Sequence, residues 1–342
     1  MDGPLSPVDA LRRIGFLLER RQEPTYRVKA YRGAADVLAA LTPEELEQRL
    51  AAGTLTELRG VGPKTAAVAM EAATGAVPEY LAKLLAEADG PVAGGAELRT
   101  ALRGDLHTHS NWSDGGSPIE EMALAARGLG HEYVALTDHS PRLTVANGLS
   151  ADRLREQLDV VAELNERLAP FRILTGIEVD ILEDGRLDQS DELLERLDVV
   201  VASVHSKLRM DGEEMTRRMV TAVANPHTDV LGHCTGRLVT GGRGQRPESD
   251  FDAELVFAAC ERFGVAVEIN SRPERLDPPR RLLRQAVVAG CLFAIDTDAH
   301  APGQLDWQPY GCERAEECEV PARRVVNTWA LDDLRTWTAR HA

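Results

Sequence analysis

The chain has 342 residues, of which 43% are hydrophobic and 27% are charged. At about 100 to 200 residues per domain, this length predicts two domains, or one large barrel with an appendage, and argues against a long solenoid. The sequence contains no run of roughly 18 uncharged apolar residues and no basic-then-apolar signal at its start. We therefore expect a soluble, cytoplasmic protein with no membrane partner.

Charge is unevenly distributed along the sequence. The net charge is -16, which argues against non-specific wrapping of nucleic acid. Residues 1–96 hold 11 basic and 13 acidic residues, which leaves 28 and 42 for residues 97–342. The acidic excess belongs to the larger part, where carboxylates can recruit cations. The five cysteines are scattered without a CxxC pair, so we expect buried free thiols rather than disulfides or a thiolate zinc site.

The first part of the chain is predicted to be helical. In residues 7–21, apolar side chains recur at intervals of three and four, which gives one buried stripe. A run of glycine, proline and small residues near residues 88–96 then predicts a linker. We expect domains at 1–88 and 101–342, joined by 89–100. Further helices are predicted at 27–41, 43–52, 54–58, 63–74 and 77–88.

Beyond the linker, short apolar runs alternate with amphipathic helical segments, a pattern typical of βα units and a parallel sheet. Seven such units indicate a barrel, although a doubly wound open sheet fits the periodicity almost as well. The seven predicted strands are 103–107, 133–137, 172–178, 199–205, 229–233, 265–269 and 292–297.

Residues that can ligate metals follow the ends of these predicted strands. In a parallel barrel, all carboxyl ends open on one face, so side chains distant in sequence converge there. Residues i and i+2 of an extended segment point the same way, which pairs His107 with His109 and Asp298 with His300. Imidazole and carboxylate ligands without thiolates favour an open catalytic site for Zn²⁺, Mn²⁺ or Fe²⁺. Any single histidine could instead be an ordinary core residue, and His131, His227 and His341 fall outside the pattern.

The ordered motifs of the second part resemble those of the PHP (polymerase and histidinol phosphatase) superfamily over residues 103–328. They read DLHTHSNWSDG, ALTDHS, GIEVDI, ASVHS, VLGHCTGRL, VEINSRPERLDPP and DTDAH. The resemblance implies a distorted (β/α)7 barrel that binds two or three divalent metal ions.

The resemblance also implies which residues bind each metal, with Glu178 shared between two of the metals. Of these ligands, we expect Glu178, His107, His109 and Asp298 to be catalytic. By position, the first metal would be held by His107, His109, Glu178 and Asp298, the second by Glu178, His205 and His233, and the third by Asp114, His139 and His300.

The first 85 residues resemble the small N-terminal domain of family X DNA polymerases. The matching stretches are YRVKAYRGAA and LRGVGPKTAA, of which the second is a helix-hairpin-helix signature. Gly60 and Gly62 permit a tight turn, and the free N–H groups at the start of the next helix can bind a DNA phosphate. Lys64, Lys29 and Arg32 would add positive charge. A turn between two packed helices is the structural alternative.

Two departures from that family limit the expected activity. At the position where lyase-competent members carry a Schiff-base lysine, this chain has Val68, which cannot form an imine. Too few residues separate the helical domain from the first barrel strand to hold a nucleotidyl-transfer core. The sequence resembles a bacterial family X polymerase from which that core is missing.

Three functions are compatible with these motifs. The first is a metal-dependent phosphoesterase acting on DNA, a 3'-5' exonuclease or 3'-end-processing enzyme of DNA repair. The second is a small-molecule phosphatase of the histidinol phosphatase type, and the third is a non-catalytic DNA-binding adaptor. Residues that follow strand ends and could contact the substrate phosphate are Lys207, Arg237, Asn270 and Arg275, with Asp277 as the expected partner of Arg275.

Overall fold

The computed structural model describes residues 5–87, 92, 94–241 and 244–339. The chain divides into two compact units, residues 1–90 and 91–342. The last residue of the predicted first domain, residue 88, and part of the predicted linker, residues 89–91 and 93, lie outside the described residues. Within the described ranges, helices are too short or too polar to cross a bilayer, and the expected cytoplasmic location stays a prediction.

The first unit is a bundle of five α-helices whose starts follow local sequence signals. Ser6 caps the first helix by accepting a hydrogen bond from the backbone N–H of Asp9. Thr42 and Glu45 form a reciprocal capping box at the start of the third. The helices are α1 (Pro7–Arg20), α2 (Thr25–Ala39), α3 (Pro43–Ala52), α4 (Pro63–Ala73) and α5 (Glu79–Ala86), with a 3₁₀ turn at Leu55–Glu57.

The hairpin signature forms the turn that leads into α4. Gly60 has a φ of +97°, a left-handed conformation that favours glycine. The backbone N–H of Gly62 donates to the hydroxyl of Thr65 at 3.0 Å, and Pro63 occupies the first helical position. The glycine and proline positions therefore have the local roles that the sequence predicts.

The second unit contains a seven-stranded parallel sheet in which the strands follow one another in chain order. A doubly wound sheet reverses its strand order near the middle, so this order excludes that alternative. The strands are β1 (Gly104–Thr108), β2 (Tyr133–Leu136), β3 (Arg172–Asp180), β4 (Val199–Ser203), β5 (Val230–Leu231), β6 (Ala266–Asn270) and β7 (Leu292–Asp296).

The first and last strands meet just beyond their carboxyl ends. Thr108 forms a parallel bridge with Ala299, and the backbone N–H of His109 donates to the carbonyl of Ala299 at 2.8 Å. The sheet is therefore a nearly closed (β/α)7 barrel, as the sequence predicts. Its strand residues are almost all buried, and Leu106, Val201 and Ala294 belong to one buried apolar cluster formed largely by strand residues.

Helices cover the outside of the barrel. One of them, α6, occupies residues 96–101, so the end of the span predicted as linker is helical. The five cysteines are buried and free, which confirms that expectation. The helices of this unit are α6 (Ala96–Ala101), α7 (Ile119–Gly128), α8 (Ala151–Leu168), α9 (Asp191–Leu194), α10 (Gly212–Val223), α11 (Ala253–Phe263), α12 (Arg280–Ala289), α13 (Gln308–Glu317) and α14 (Leu331–Thr338).

Candidate metal centre

The nine predicted ligands all lie at the carboxyl ends of barrel strands or in the loops that follow them. His107 is in β1, with His109 just after it, and Glu178 is near the end of β3. Parallel strands present these ends on one face of the barrel, which brings the side chains together. The remaining ligands follow β1, β2, β4, β5 and β7: Asp114, His139, His205, His233, Asp298 and His300.

Glu178 lies at the centre of this set. Its side chain is 1% exposed, and five histidine rings from four segments of the chain approach it. Its Oε1 lies 2.9 Å from Nε2 of His233 and 3.2 Å from Nε2 of His205. Its Oε2 lies 2.8 Å from Nδ1 of His139, 3.4 Å from Nε2 of His107 and 3.6 Å from Nε2 of His109. The two oxygens of one buried carboxylate therefore contact histidines that are distant from one another in sequence.

The ligands form four overlapping groups whose donor atoms lie within 4.8 Å of one another. One group contains His107, His109 and Asp298, which belong to the first predicted metal site. The predicted third site appears with His109 added to it. The predicted second site is divided, because His233 groups with His107 and Glu178, whereas His205 groups with His139 and Glu178. The four groups are His107–His109–Asp298, His109–Asp114–His139–His300, His107–Glu178–His233 and His139–Glu178–His205.

Two buried carboxylates that the sequence analysis did not select orient the ligands. Glu268 in β6 accepts a hydrogen bond from Nδ1 of His107 at 2.6 Å and another from the backbone N–H of His233. Asp180 lies 3.5 Å from Nδ1 of His205 and accepts from its backbone N–H at 3.1 Å. With Nδ1 of His107 donating to Glu268, Nε2 is the ring atom that would bind a metal once its proton is released.

Asp298 is held by an arginine as well as by the ligand set. Its Oδ2 accepts from Nε of Arg275 at 3.0 Å, and its Oδ1 lies 3.4 Å from Nε2 of His109. The expected partner Asp277 instead accepts hydrogen bonds from the backbone and side chain of Thr235. The predicted Arg275–Asp277 pair is therefore wrong, because Arg275 turns toward the metal centre.

The electrostatics of the metal-free site favour an ionised carboxylate among histidines of mixed protonation. Burial opposes charge on Glu178, but His205, His107 and His139 lower its pKa well below the usual value. Burial likewise opposes charge on His205, yet Glu178 and Asp180 raise its pKa to about 9. The pKa of His109 is lowered by burial and by two neighbouring histidines. Protons on the histidine rings therefore occupy nitrogen atoms that a divalent cation can bind in their place.

The donor atoms fit divalent cations. Buried atoms without a hydrogen-bond partner include both ring nitrogens of His109, both of His205 and Oε2 of Glu178. Leaving such atoms buried and unsatisfied is costly, whereas coordination satisfies them. A mixed nitrogen and oxygen donor set without thiolates suits Zn²⁺, Mn²⁺ or Fe²⁺.

A cavity of about 760 Å³ opens above the ligands. Its lining includes the three ligands of the third predicted metal site, Asp114, His139 and His300. A substrate in the cavity can therefore reach the metal centre. Two arginines not selected from the sequence, Arg246 and Arg272, also line it. Apolar side chains on the same lining include Leu143, Val145, Ala146, Val204 and Leu238.

The four predicted substrate contacts have different surroundings. Arg275 lines the cavity. Asn270 is buried and directs its amide toward Glu268 at 3.2 Å, so it supports the ligand shell. Arg237 donates from Nε to the carbonyl of Arg275 at 3.0 Å. Lys207 is exposed and is not among the cavity-lining residues. Of the four, only Arg275 is placed to meet a substrate in this cavity.

The predicted DNA contacts lie on the helical unit. Lys29 and Lys64 are exposed, and the latter follows Pro63 at the start of α4. Arg32 instead forms a bidentate pair with Glu19, whose side chain is 5% exposed. This pair occupies the guanidinium that was expected to meet phosphate. Val68 is 3% exposed and packs in the core of the unit, where it offers no amine.

Models of two domain families match separate parts of this chain. Residues 105–272 match the PHP domain, and residues 6–75 match a helix-hairpin-helix domain. A solved structure of histidinol phosphate phosphatase from Lactococcus lactis, complexed with zinc, L-histidinol and phosphate, has a TM-score of 0.47. The two share 18% identity, and the match covers 63% of this chain and 92% of that chain.

Two curated relatives match this chain over different shares of their own length. The chain is 39% identical over 240 residues to the DNA polymerase/3'-5' exonuclease PolX of Bacillus subtilis (strain 168), a match covering 70% of this chain but 41% of PolX. It is 30% identical over 207 residues to a probable phosphatase of Thermoanaerobacter sp. (strain X514), covering 57% of this chain and 78% of the relative. Taken with the site, these matches show that the chain belongs to the PHP family of metal-dependent phosphoesterases and carries a helix-hairpin-helix domain.

Proposed function

We propose that this protein is a phosphodiesterase that processes the 3' ends of DNA, acting as a 3'-5' exonuclease or an end-processing enzyme of DNA repair. The observation that carries the proposal is the Glu178 centre, where five histidines surround one buried carboxylate beneath an open cavity. Two or three divalent ions would be held there, by the nine ligands predicted from the sequence.

Divalent ions bound to these residues would supply water activation near neutral pH and neutralise charge on the phosphoryl oxygens. The protein's own residues set the geometry. Glu268 fixes the ring of His107 through Nδ1, and Arg275 fixes Asp298 through Oδ2. Arg272 lies nearby, with its Nη1 3.0 Å from the carbonyl oxygen of Asp298. These two arginines are placed to orient a phosphate that enters from the cavity.

Two features support DNA as the substrate. One lies in the helical unit, and the other is the name of a relative. The hairpin turn leaves Lys64 exposed at the start of α4, where helix N–H groups and a positive side chain favour an anion. The relative from Bacillus subtilis is named a 3'-5' exonuclease. Both features support a DNA substrate held by the first unit and hydrolysed by the barrel.

A small-molecule phosphatase is the second candidate. The relative from Thermoanaerobacter that matches over most of its length is named a probable phosphatase. The net charge of -16 also favours a small ester over a long polyanion. In that case, the helical unit would serve another purpose.

The deciding experiment compares two substrates under one condition. The Mn²⁺-loaded protein is incubated with 3'-end-labelled DNA and, separately, with histidinol phosphate. Higher kcat/KM on DNA, lost in the Lys29→Ala, Lys64→Ala double variant, supports the proposal. Hydrolysis of histidinol phosphate alone supports the second candidate. DNA binding without hydrolysis of either substrate would indicate a non-catalytic adaptor.

A further inference from the structure

The segment that follows β2 forms part of the cavity wall and carries an exposed valine. Val145 is 92% exposed and lies in a 3₁₀ turn, residues 144–146, that lines the cavity with Leu143 and Ala146. Single exposed apolar residues are common on protein surfaces. This one differs because it stands at the rim of the cavity that contains the metal ligands.

The turn that carries Val145 is fixed rather than loose. Arg153 donates from Nη1 to the carbonyl of Asn147 at 2.9 Å, and the Asn147 amide donates to the carbonyl of Trp112 at 3.1 Å. The end of the segment is also tied to a predicted ligand, because the N–H of Leu149 donates to the carbonyl of His139 at 2.7 Å. Val145 therefore keeps a defined position relative to the metal centre.

The opposite part of the lining carries three arginines. Arg246, Arg272 and Arg275 lie in the segments after β5 and β6, whereas Val145 follows β2. Glu274 is also in the lining, but its carboxylate lies 3.4 Å from Nε of Arg272 and is balanced by it. The cavity thus combines positive charge for a phosphate with an apolar wall.

The size of the cavity exceeds what a phosphate group alone requires. About 760 Å³ lies within the roughly 300–1,000 Å³ of pockets that hold drug-sized ligands. A planar, uncharged ring attached to the phosphate through a sugar has the chemistry that fits an apolar wall beside a cationic one.

We propose that Val145 forms an apolar ledge that contacts the nucleobase of the terminal nucleotide and so makes the site selective for nucleotide ends over small phosphate monoesters. This inference rests on the proposed function, and it adds a specificity-determining residue outside the ligand set. Contact with the base would bury Val145 and strengthen binding, and a larger aromatic side chain would strengthen it further.

The test crosses two substrates with three variants of the full-length, Mn²⁺-loaded protein. One oligonucleotide ends in a normal 3' nucleotide, and the other ends in a 3' abasic residue. Val145→Asn should lower kcat/KM about tenfold on the first and leave it within twofold on the second. Val145→Phe should retain or raise kcat/KM on the first substrate and leave it within twofold on the second. Val288→Asn is the matched control, since Val288 is 88% exposed and lies on α12 outside the cavity lining.

The outcomes distinguish a failure of the Val145 contact from a failure of the proposed function. Equal effects of Val145→Asn on both oligonucleotides, or no effect on either, would overturn the ledge while leaving the proposed function intact. A wild-type protein that hydrolyses histidinol phosphate and neither oligonucleotide would overturn the proposed function and the ledge together. Melting temperatures that match wild type would show that the variants are folded.

Discussion

Glu268 accepts a 2.6 Å hydrogen bond from Nδ1 of His107, although 161 positions separate the two residues in the sequence. Both side chains are fully buried. The same carboxylate accepts the backbone N–H of His233, so it positions β1 and the segment after β5 at once. Glu268 therefore acts through the ligands as a positioning residue.

Glu268→Gln should weaken metal binding by roughly 10- to 100-fold, because outer partners of this kind set ligand orientation and basicity. A glutamine replaces one of the two carboxylate oxygens with an NH2 donor, so it can accept from His107 or from the N–H of His233 but not from both. Isothermal titration with Mn²⁺ measures the affinity directly. Glu213→Gln is a matched control, because the Glu213 side chain is 89% exposed on α10. Unchanged affinity in Glu268→Gln would contradict the positioning role.

Glu178→Gln should abolish turnover while leaving the protein folded. Because Glu178 is the shared ligand, the loss should exceed the roughly 10- to 100-fold effect of an outer partner. Hydrolysis of end-labelled DNA and circular dichroism are measured on the same sample. Most of the wild-type activity surviving in metal-replete buffer would mean that Glu178 is not the bridging group.

Metal binding should release roughly two protons per chain at pH 7. Carboxylates raise the pKa of His107 well above its usual value and that of His205 to about 9, so both rings are protonated in the metal-free protein. Mn²⁺ affinity should therefore rise between pH 6 and pH 9. Titration calorimetry in buffers of different ionisation enthalpy counts the protons, and a pH-independent affinity would argue against this assignment.

The same shifts predict the opposite trend for the metal-free protein. A histidine whose pKa is raised on folding stabilises the folded state below its unfolded value of about 6.5, and this stabilisation is lost as pH rises through the folded value. For His205 that window extends to about pH 9. The melting temperature of chelated protein should therefore fall from pH 6.5 to 9 by more than that of His205→Gln, and parallel curves would count against the assignment.

Lys64→Ala should weaken DNA binding without changing hydrolysis of a small phosphate ester. Each phosphate contact removed should reduce the slope of log K against log salt by about 1. Fluorescence anisotropy at several salt concentrations measures this slope. Lys83→Ala is the control within the same unit, since the Lys83 side chain is 67% exposed on α5, outside the hairpin. Identical slopes for the two variants would show that Lys64 does not contact DNA phosphate.

The strands and ligands could be predicted from sequence because both leave periodic local signals. Polar residues ending apolar runs pointed to one face of a barrel, and the structure brings all nine predicted ligands onto it. Glu268 had a weaker signal, a single acid within the buried run of β6. It could have been found by asking what a buried carboxylate between apolar neighbours must contact.

Long-range pairing of arginines could not be predicted from spacing. Arg275 lies two residues from Asp277 in sequence, yet it pairs with Asp298 across the barrel end. Arg32 sits in a motif that resembles a DNA-binding domain, yet Glu19 on the neighbouring helix holds it. A guanidinium reaches far along a flexible stem, so its partner depends on the fold rather than on nearby residues.

The most direct test of the metal centre is an elemental analysis of the purified protein combined with an anomalous-scattering map of its crystals. We predict two or three divalent ions per chain, each within bonding distance of the histidines and carboxylates that surround Glu178. Protein that contains no bound divalent metal after incubation with Zn²⁺, Mn²⁺ or Fe²⁺, with no anomalous peak among these ligands, would contradict the account.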